Sequence, residues 1–277
     1  MTGAFTREIE VASRLAREAG RAILEVYAGE FEVVEKPEGG GPVTVADARA
    51  NEIIVAGLRA AFPGDGVVAE ESEVNANPER FERCWFVDPL DGTKEFTRRN
   101  DQFAVHVGLA VGGAAKAGVV FQPTADRLYA GVVGEGCALW TGGASREVRV
   151  AERAHDPLLL VASRSHRSRW IDAICAELGI ERVEGVGSVG IKCGMVATSQ
   201  VDLYVHPSRV SYRWDACAPE AILRAAGGFF ADLSGAPFRY DGVELQNTRG
   251  ILACHPAIVN RVLPIVAEVG RRAHVLE

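Results

Sequence analysis

Apolar residues recur every three or four positions over the first 28 residues, and this spacing predicts one amphipathic helix that ends near Gly29. A glycine-rich turn at 38–42 separates it from a second helical pattern, which Pro63 stops. Asp47 stands at the beginning of that second pattern, in the place where we expect an N-cap. The chain therefore opens with two helices joined by a turn.

Two short apolar runs follow, at 66–69 and 85–87, and their length and composition predict buried strands. Each run ends directly in acidic residues: Glu70 and Glu71 follow the first strand, and Asp88 follows the second. Carboxylates at the ends of neighbouring buried strands are the first indication of a functional site.

The pattern then changes twice. Between 103 and 150, short alternating runs broken by paired glycines predict an antiparallel meander with strands at 104–110, 117–121, 127–133 and 138–140. Beyond Pro157, strands and helices alternate, with strands at 158–162 and 201–205 and helices at 170–178, 191–198 and 214–226. We expect an N-terminal lobe over 1–154, which carries most of the acidic candidates, and a smaller C-terminal lobe over 155–277.

Composition narrows the classes of partner. The 277 residues include 37 acidic and 30 basic side chains, a net charge of −7, and no run of Lys or Arg suits a nucleic-acid backbone. No apolar run reaches the roughly 18 residues of a membrane span. The six cysteines form no CxxC pair and no signal peptide opens the sequence, so we expect a cytoplasmic protein. An anionic ligand would need positive charge from another source.

The segment from Asp88 to Thr93 carries the strongest chemical signal. Pro89 fixes its own φ and suits the second position of a turn, so we expect Asp88 and Asp91 to flank a tight reversal and converge on one point. Two desolvated carboxylates repel each other unless a proton or a cation lies between them. Hard oxygen ligands favour Mg²⁺ or Mn²⁺.

Gly92 and Thr93 extend this signal towards phosphate. Gly92 allows the backbone to approach a ligand closely, and Thr93 stands where a short helix could begin, with exposed amides suited to phosphate oxygens. Taken alone, the segment also fits an ordinary surface turn in which Thr93 caps the next helix.

Four motifs that follow one another along the chain argue against interpreting this segment as an ordinary surface turn. Thr44-x-x-Asp47, Glu70-Glu71-Ser72, Asp88-Pro89-Leu90-Asp91-Gly92-Thr93 and Trp214-Asp215 resemble, in order and spacing, the inositol monophosphatase superfamily of metal-dependent, lithium-sensitive phosphatases. The resemblance covers nearly the whole chain. It implies a mixed α/β (α+β) fold: a layered αβαβα sandwich with an antiparallel sheet in the N-terminal lobe and a smaller α/β C-terminal lobe.

The resemblance also implies a ligand set. One metal would be held by Glu70, Asp88 and the carbonyl of Leu90, and a second by Asp88, Asp91 and Asp215. A further weakly bound metal near Glu70 gives two or three Mg²⁺ per site, for which Mn²⁺ can substitute.

The same resemblance assigns catalytic and phosphate-binding roles. Asp47 would accept a hydrogen bond from the Thr93 hydroxyl, which would orient the attacking water. The amides of Gly92 and Thr93 would bind phosphate oxygens.

Segments of the second lobe look like the 3′(2′),5′-bisphosphate nucleotidase branch. They are 163–166, 187–192 and 214–223, together with 88–96. The implied substrate is 3′-phosphoadenosine 5′-phosphate, cleaved to AMP and phosphate. Candidates for holding its second phosphate are Ser163, His166, Ser188 and Lys192. A solvated loop around His166 and a surface position for Lys192 are the alternatives.

Some features leave substrate choice open. The sequence reads Gly41-Pro42-Val43-Thr44 where the family usually has Ser-Pro-Val-Thr, and 201–210 matches the nucleotidase branch poorly. An inositol monophosphatase, or another inositol or sugar phosphate phosphatase, is the main alternative, and a non-catalytic metal-binding or metabolite-binding protein is a second. The expected partner is a small phosphate ester, and a homodimer is possible. His106 fits a strand face better than a ligand position, and Lys36 is either solvated or directed into the site.

Overall fold

The computed structural model describes residues 3–36, 41–72, 76–165 and 168–276. Most of the predicted glycine-rich turn, and His166, lie outside these ranges. The helices described are α1 (Thr6–Ala28), α2 (Val45–Ala61), α3 (Thr93–Thr97), α4 (Arg169–Leu178), α5 (Val189–Ala197), α6 (Arg213–Ala225) and α7 (Val259–Arg272). None of them combines the length and apolar character needed to cross a membrane.

The strands form three sheets. Within the described ranges they are β1 (Val34–Glu35), β2 (Pro42–Val43), β3 (Gly66–Ala69), β4 (Arg83–Asp91), β5 (Ala104–Val111), β6 (Ala114–Gln122), β7 (Arg127–Val132), β8 (Gly136–Thr141), β9 (Ala144–Val148), β10 (Leu160–Ser163), β11 (Val183–Val186), β12 (Leu203–His206), β13 (Phe229–Ala231) and β14 (Ile251–Cys254). A seven-stranded sheet runs in the order β3 to β9, a five-stranded sheet has the order β11-β10-β12-β14-β13, and β1 pairs with β2. The predicted antiparallel meander is confirmed; among the described strands of the large sheet, only β3 and β4 pair in parallel.

Three apolar clusters stack the elements into five layers. Helices α1 and α2 bury their apolar faces on one side of the large sheet. On the other side, α5 and α6 pack between the two larger sheets. Helices α4 and α7 cover the outer face of the five-stranded sheet. This confirms the layered αβαβα arrangement. The boundary near residue 155 falls between β9 and β10 and remains a proposal.

Helix α6 lies unusually close to the large sheet because glycines face it. Gly108, Gly118 and Gly131 are direct cross-strand partners on β5, β6 and β7. A Cβ atom at Gly118 would lie only 2.8 Å from the carbonyl oxygen of Ala218. Because glycine has no side chain, these three positions form a groove that accommodates α6. Asp215 stands in the first turn of that helix.

Two local predictions need correction. The N-cap of α2 is Thr44, and Asp47 is the third helical residue, whose carboxylate accepts from the Thr44 amide in a capping box. The expected tight reversal between Asp88 and Asp91 is also wrong, because β4 continues through Asp91. Pro89 is tolerated there because the pairing of β4 with β5 is interrupted at this point.

Candidate active site

A β-bulge directs Asp88 and Asp91 to one place. Asp88 pairs with His106 and Asp91 with Ala104, so three steps along β4 match two steps along β5. In a regular strand, residues three apart point to opposite faces, and the extra residue reverses this for Asp91. Ligand atoms of Asp88, Asp91 and His106 lie within 4.8 Å of one another. The convergence predicted from the sequence is thus present, although its cause is a bulge.

Of the four carboxylates expected to hold metal, Asp88 is the most deeply buried, with 1% of its surface exposed. Burial, followed by the charges of Glu70, Asp91 and Asp215, raises the pKa of Asp88 well above its usual value. Burial also raises the pKa of Asp215, with added repulsion from Asp91 and Glu70. A divalent cation bound among these carboxylates would offset their mutual repulsion and displace the protons that they hold.

The donor set fits a hard cation. Carboxylate oxygens would come from Glu70, Asp88, Asp91 and Asp215, and a carbonyl oxygen would come from Leu90, which stands between Asp88 and Asp91 in the chain. No cysteine is among them. These are residues that could hold a divalent metal ion, and His106 lies beside them.

Backbone amides from the C-terminal half of the chain fix two of these carboxylates. The Val189 amide, in the first turn of α5, donates to Asp91 Oδ2 over 2.5 Å. The Tyr212 amide donates to Asp215 Oδ2 over 2.6 Å. Each bond engages the Oδ2 atom of its carboxylate.

His106 contributes more than its strand position indicates. It lies on β5 and is fully buried, with Nε2 3.2 Å from Asp91 Oδ2 and 3.4 Å from Ser188 Oγ. Burial lowers the pKa of His106. Sequence reasoning placed it on a strand face and missed this contact, which becomes visible only from the register of β4 against β5.

Asp47 and Thr93 form the expected pair. Thr93 Oγ1 lies 3.2 Å from Asp47 Oδ1 and also 3.2 Å from the Leu90 carbonyl oxygen. The other oxygen of Asp47 accepts from the amide and the hydroxyl of Thr44, each over 2.8 Å. Burial raises the pKa of Asp47 to about 6.

Lys36 is directed into the site. Its ammonium group donates to Glu70 Oε1 over 2.8 Å and to Glu71 Oε1 over 2.5 Å. Burial alone would lower the pKa of Lys36, but the two carboxylates raise it above its usual value. The sequence left open whether Lys36 is solvated or directed into the site, and the first alternative is therefore wrong.

A cleft of about 230 Å³ connects these groups. Most of the residues predicted from the sequence line it: Glu70, Asp91, Gly92, Thr93, Ser163, Ser188, Lys192 and Asp215. Asp47, Asp88 and Leu90 lie beneath its floor and are almost inaccessible. Gly92 adopts a φ of 100°, a conformation that favours glycine, and the expected short helix begins directly after it.

Lys192 is a buried residue of the cleft wall. Only 2% of its surface is exposed, and its ammonium donates to the Ser188 carbonyl over 2.7 Å. It also lies 5.0 Å from the centre of the Tyr204 ring. Burial lowers the pKa of Lys192. A surface position for this lysine is therefore wrong, and its ammonium holds the turn that precedes α5.

The end of β10 and the loop that follows it contact the cleft through a few polar side chains. Ser163 lines the cleft, and Ser165 Oγ donates to the buried Glu95 over 2.5 Å. Arg164 donates to Gln102 over 2.8 Å. Glu95 was missed by sequence reasoning, although it stands in the helical segment after Thr93. His166 lies outside the described residues.

Comparisons with known proteins agree along nearly the whole chain. The model of the inositol monophosphatase family matches residues 6–270. The 3′(2′),5′-bisphosphate nucleotidase CysQ of Escherichia coli (strain K12) is 36% identical over 235 residues, covering 82% of this chain and 91% of that protein. The 3′-phosphoadenosine 5′-phosphate phosphatase of Mycobacterium leprae (strain TN) is 32% identical over 270 residues, covering 94% and 93%. The crystal structure of CysQ from Bacteroides thetaiotaomicron superposes with a TM-score of 0.78 at 30% identity, covering 91% of this chain and 98% of that one.

Proposed function

This chain belongs to the inositol monophosphatase family, and from that premise we propose that it is a Mg²⁺-dependent 3′(2′),5′-bisphosphate nucleotidase. In this proposal it hydrolyses the 3′-phosphate of 3′-phosphoadenosine 5′-phosphate to AMP and phosphate. The substrate class rests on the names of the CysQ and 3′-phosphoadenosine 5′-phosphate phosphatase relatives.

The observation that carries the chemistry is the group of four carboxylates around one cleft. Glu70, Asp91 and Asp215 line it and Asp88 lies beneath them. We assign one cation to Glu70, Asp88 and the Leu90 carbonyl, and a second to Asp88, Asp91 and Asp215. Bound divalent cations would neutralise phosphate oxygens and lower the pKa of water, which is most of what phosphoryl transfer requires.

Thr93 would direct the attacking water. Its hydroxyl has one proton, and ionised Asp47 is a stronger acceptor than the neutral carbonyl of Leu90. With its proton donated to Asp47, Thr93 Oγ1 has lone pairs free to accept from water. A water held by one of its protons keeps its oxygen lone pair available for phosphorus.

The second phosphate of the substrate would bind towards the C-terminal lobe. Ser163 and Ser188 offer hydroxyl groups at the cleft wall, and Lys192 places a positive charge behind them. Because the Lys192 ammonium already donates to a backbone carbonyl, its contribution would be the field and the loop geometry. The amides of Gly92 and Thr93 remain the candidates for the transferred phosphate.

A panel of phosphate esters tests this proposal. Phosphate release with Mg²⁺ should give a higher kcat/KM for 3′-phosphoadenosine 5′-phosphate than for inositol 1-phosphate, with inhibition by millimolar Li⁺. A clear preference for inositol 1-phosphate would replace the nucleotide assignment by the second candidate, an inositol monophosphatase, which the family match alone equally favours. If no ester releases phosphate, the result would favour a non-catalytic protein that binds metal or a metabolite.

A further inference from the structure

A stacked pair of aromatic rings lies at the wall of the cleft. The rings of Tyr212 and Trp214 are nearly parallel, with centroids 4.7 Å apart and an interplanar angle of 8°. Both residues line the cleft together with Asp215. Trp214 is buried, whereas 39% of Tyr212 is exposed. Because Trp214 covers one face of the tyrosine ring, a ligand can stack only on its other face.

The backbone around Tyr212 is held firmly. Its carbonyl accepts from Asn247 Nδ2 over 2.5 Å, and Tyr212 forms a β-bridge with Gln246. The next residue, Arg213, donates its amide to the Leu245 carbonyl over 2.8 Å. The Tyr212 amide itself binds Asp215 Oδ2. The backbone of Tyr212 is therefore held next to Asp215, and the stacking on Trp214 orients its ring.

A flat apolar surface in this position suits a flat ligand. Every nucleobase has a π-face that stacks on an aromatic side chain, whereas a polyol such as inositol presents hydroxyl groups that such a face cannot satisfy. Val210, 73% exposed, widens the same apolar wall. Most of the other described residues of the cleft are polar. An uncharged planar group would therefore gain the most binding free energy at this apolar wall.

We propose that Tyr212, backed by Trp214, is the stacking platform for the nucleobase and hence the residue that selects nucleotides over base-free phosphate esters. This inference rests on the proposed function and deepens it, because it assigns the base recognition that a nucleotidase needs. No part of it involves the reacting phosphorus.

Steady-state kinetics of three variants test it. In Tyr212→Ala and Tyr212→Leu, the ratio of kcat/KM for 3′-phosphoadenosine 5′-phosphate to that for inositol 1-phosphate should fall about 10-fold or more, mainly through KM for the nucleotide. Tyr212→Phe keeps the ring and should stay within about 3-fold of wild type. The Tyr212→Leu variant keeps an apolar side chain but has no flat ring. A reduced ratio in this variant would therefore show that stacking, and not only burial of apolar surface, selects the nucleotide. An unchanged ratio in the Ala variant, or equal losses on both substrates, would overturn the platform.

Direct binding separates failure of this inference from failure of the proposed function. AMP and ribose 5-phosphate differ only in the base, and their affinities are measurable by calorimetry whether or not the enzyme turns over the bisphosphate. Wild type should bind AMP more tightly than ribose 5-phosphate, and Tyr212→Ala should bring the two affinities together. Equal affinities in wild type would overturn the platform; if AMP is preferred but 3′-phosphoadenosine 5′-phosphate is not hydrolysed, only the proposed reaction fails.

Discussion

At the scale of single residues, the proposed mechanism depends on the hydroxyl proton of Thr93. Two acceptors lie at the same distance of 3.2 Å, one on Asp47 and one on the Leu90 carbonyl. Asp47 cannot turn away, because its second oxygen is fixed by both polar groups of Thr44. The capping box of α2 therefore serves as the support of the proposed water-directing pair.

Replacing Thr93 by Val keeps the shape of the side chain and removes its hydroxyl. We expect kcat to fall by about 10²-fold or more, with a smaller change in KM, since the lost interaction acts on the attacking water. Thr93→Ser keeps the hydroxyl and is the matched control, with kcat within a few-fold of wild type. Equal kcat values for the Val and Ser variants in a phosphate-release assay would contradict the role.

The individual site residues were accessible from the sequence because their side-chain chemistry is local. Asp88, Asp91, Glu70 and Asp215 stand in short motifs whose order is readable without coordinates. The bulge was not accessible, because it is a property of the register between β4 and β5. For the same reason the contact of His106 with Asp91 could not be read from the chain.

At the scale of elements, α6 decides where Asp215 stands. Ala218 in α6 sits so close to β6 that a Cβ at Gly118 would meet its carbonyl oxygen and its Cα at 2.8 and 2.9 Å. Neither of these backbone atoms can swing aside as the end of a side chain could, so the helix itself would have to move.

Substitution of Gly118 by Ala should therefore cost both stability and activity. We expect the free energy of unfolding to fall by about 1–3 kcal/mol, as for other overpacked cores, and kcat/KM to fall with it as Asp215 shifts. Gly64→Ala is the control, because a Cβ there meets nothing within 4 Å; its free energy should change by less than about 0.5 kcal/mol. Urea unfolding and phosphate release would check both, and normal values for Gly118→Ala would show that α6 tolerates displacement.

Glu220 gives α6 a pH-dependent stability. It is buried, and it accepts from the Tyr240 hydroxyl over 2.6 Å and from Arg224 over 2.8 Å. Burial raises the pKa of Glu220 above its usual value, so the folded state binds this proton more tightly than the unfolded chain. The associated stability is complete below the unfolded value of about 4.3 and is lost as pH rises through the folded value.

Glu220→Gln should remove that dependence. Relative to wild type, the variant should gain free energy of unfolding as pH rises from about 4.5 into the neutral range, because only wild type has a buried carboxyl to ionise. Urea titrations of both proteins at a series of pH values would measure the difference. A difference that does not vary with pH would show that Glu220 titrates alike in both states.

The predictability of the elements follows their length and periodicity. The ends of helices α1 and α2 were predicted within a few residues, because a long amphipathic pattern contains many positions that match the helical period. Strands β1, β11 and β13 were missed because their two, four and three residues show no clear alternation, whereas the four-residue β3 was predicted from its continuous apolar run. Helix α7 carries Pro264 in its interior, a residue that ordinarily argues against a helix.

At the scale of the whole molecule, the carboxylates gather where the two larger sheets and the helices between them meet. Strand β4 brings Asp88 and Asp91, β3 leads to Glu70, and α6 brings Asp215 from far along the chain. The order of layers was predictable through the family resemblance. The closeness of these elements was not, because it depends on packing between segments more than 100 residues apart.

Removing divalent cations should therefore destabilise the whole fold. In the chelator-treated protein, Mg²⁺ at about 100 times its Kd should raise the free energy of unfolding by about 2.7 kcal/mol and increase Tm accordingly. Sodium chloride at matched ionic strength is the control and should have a much smaller effect. Asp215→Asn should lose most of the Mg²⁺-dependent increase. Equal stabilisation by both salts would indicate general screening of the net charge of −7.

The central claim is that buried carboxylates assemble around divalent cations to hydrolyse a nucleotide phosphate. Its most direct test is phosphate release from 3′-phosphoadenosine 5′-phosphate, with and without Mg²⁺, by wild type and Asp88→Asn side by side. We expect Mg²⁺-dependent release from wild type and background release from the variant, which should still fold because neutralising Asp88 relieves a buried charge. Full activity of a folded Asp88→Asn protein would contradict the claim.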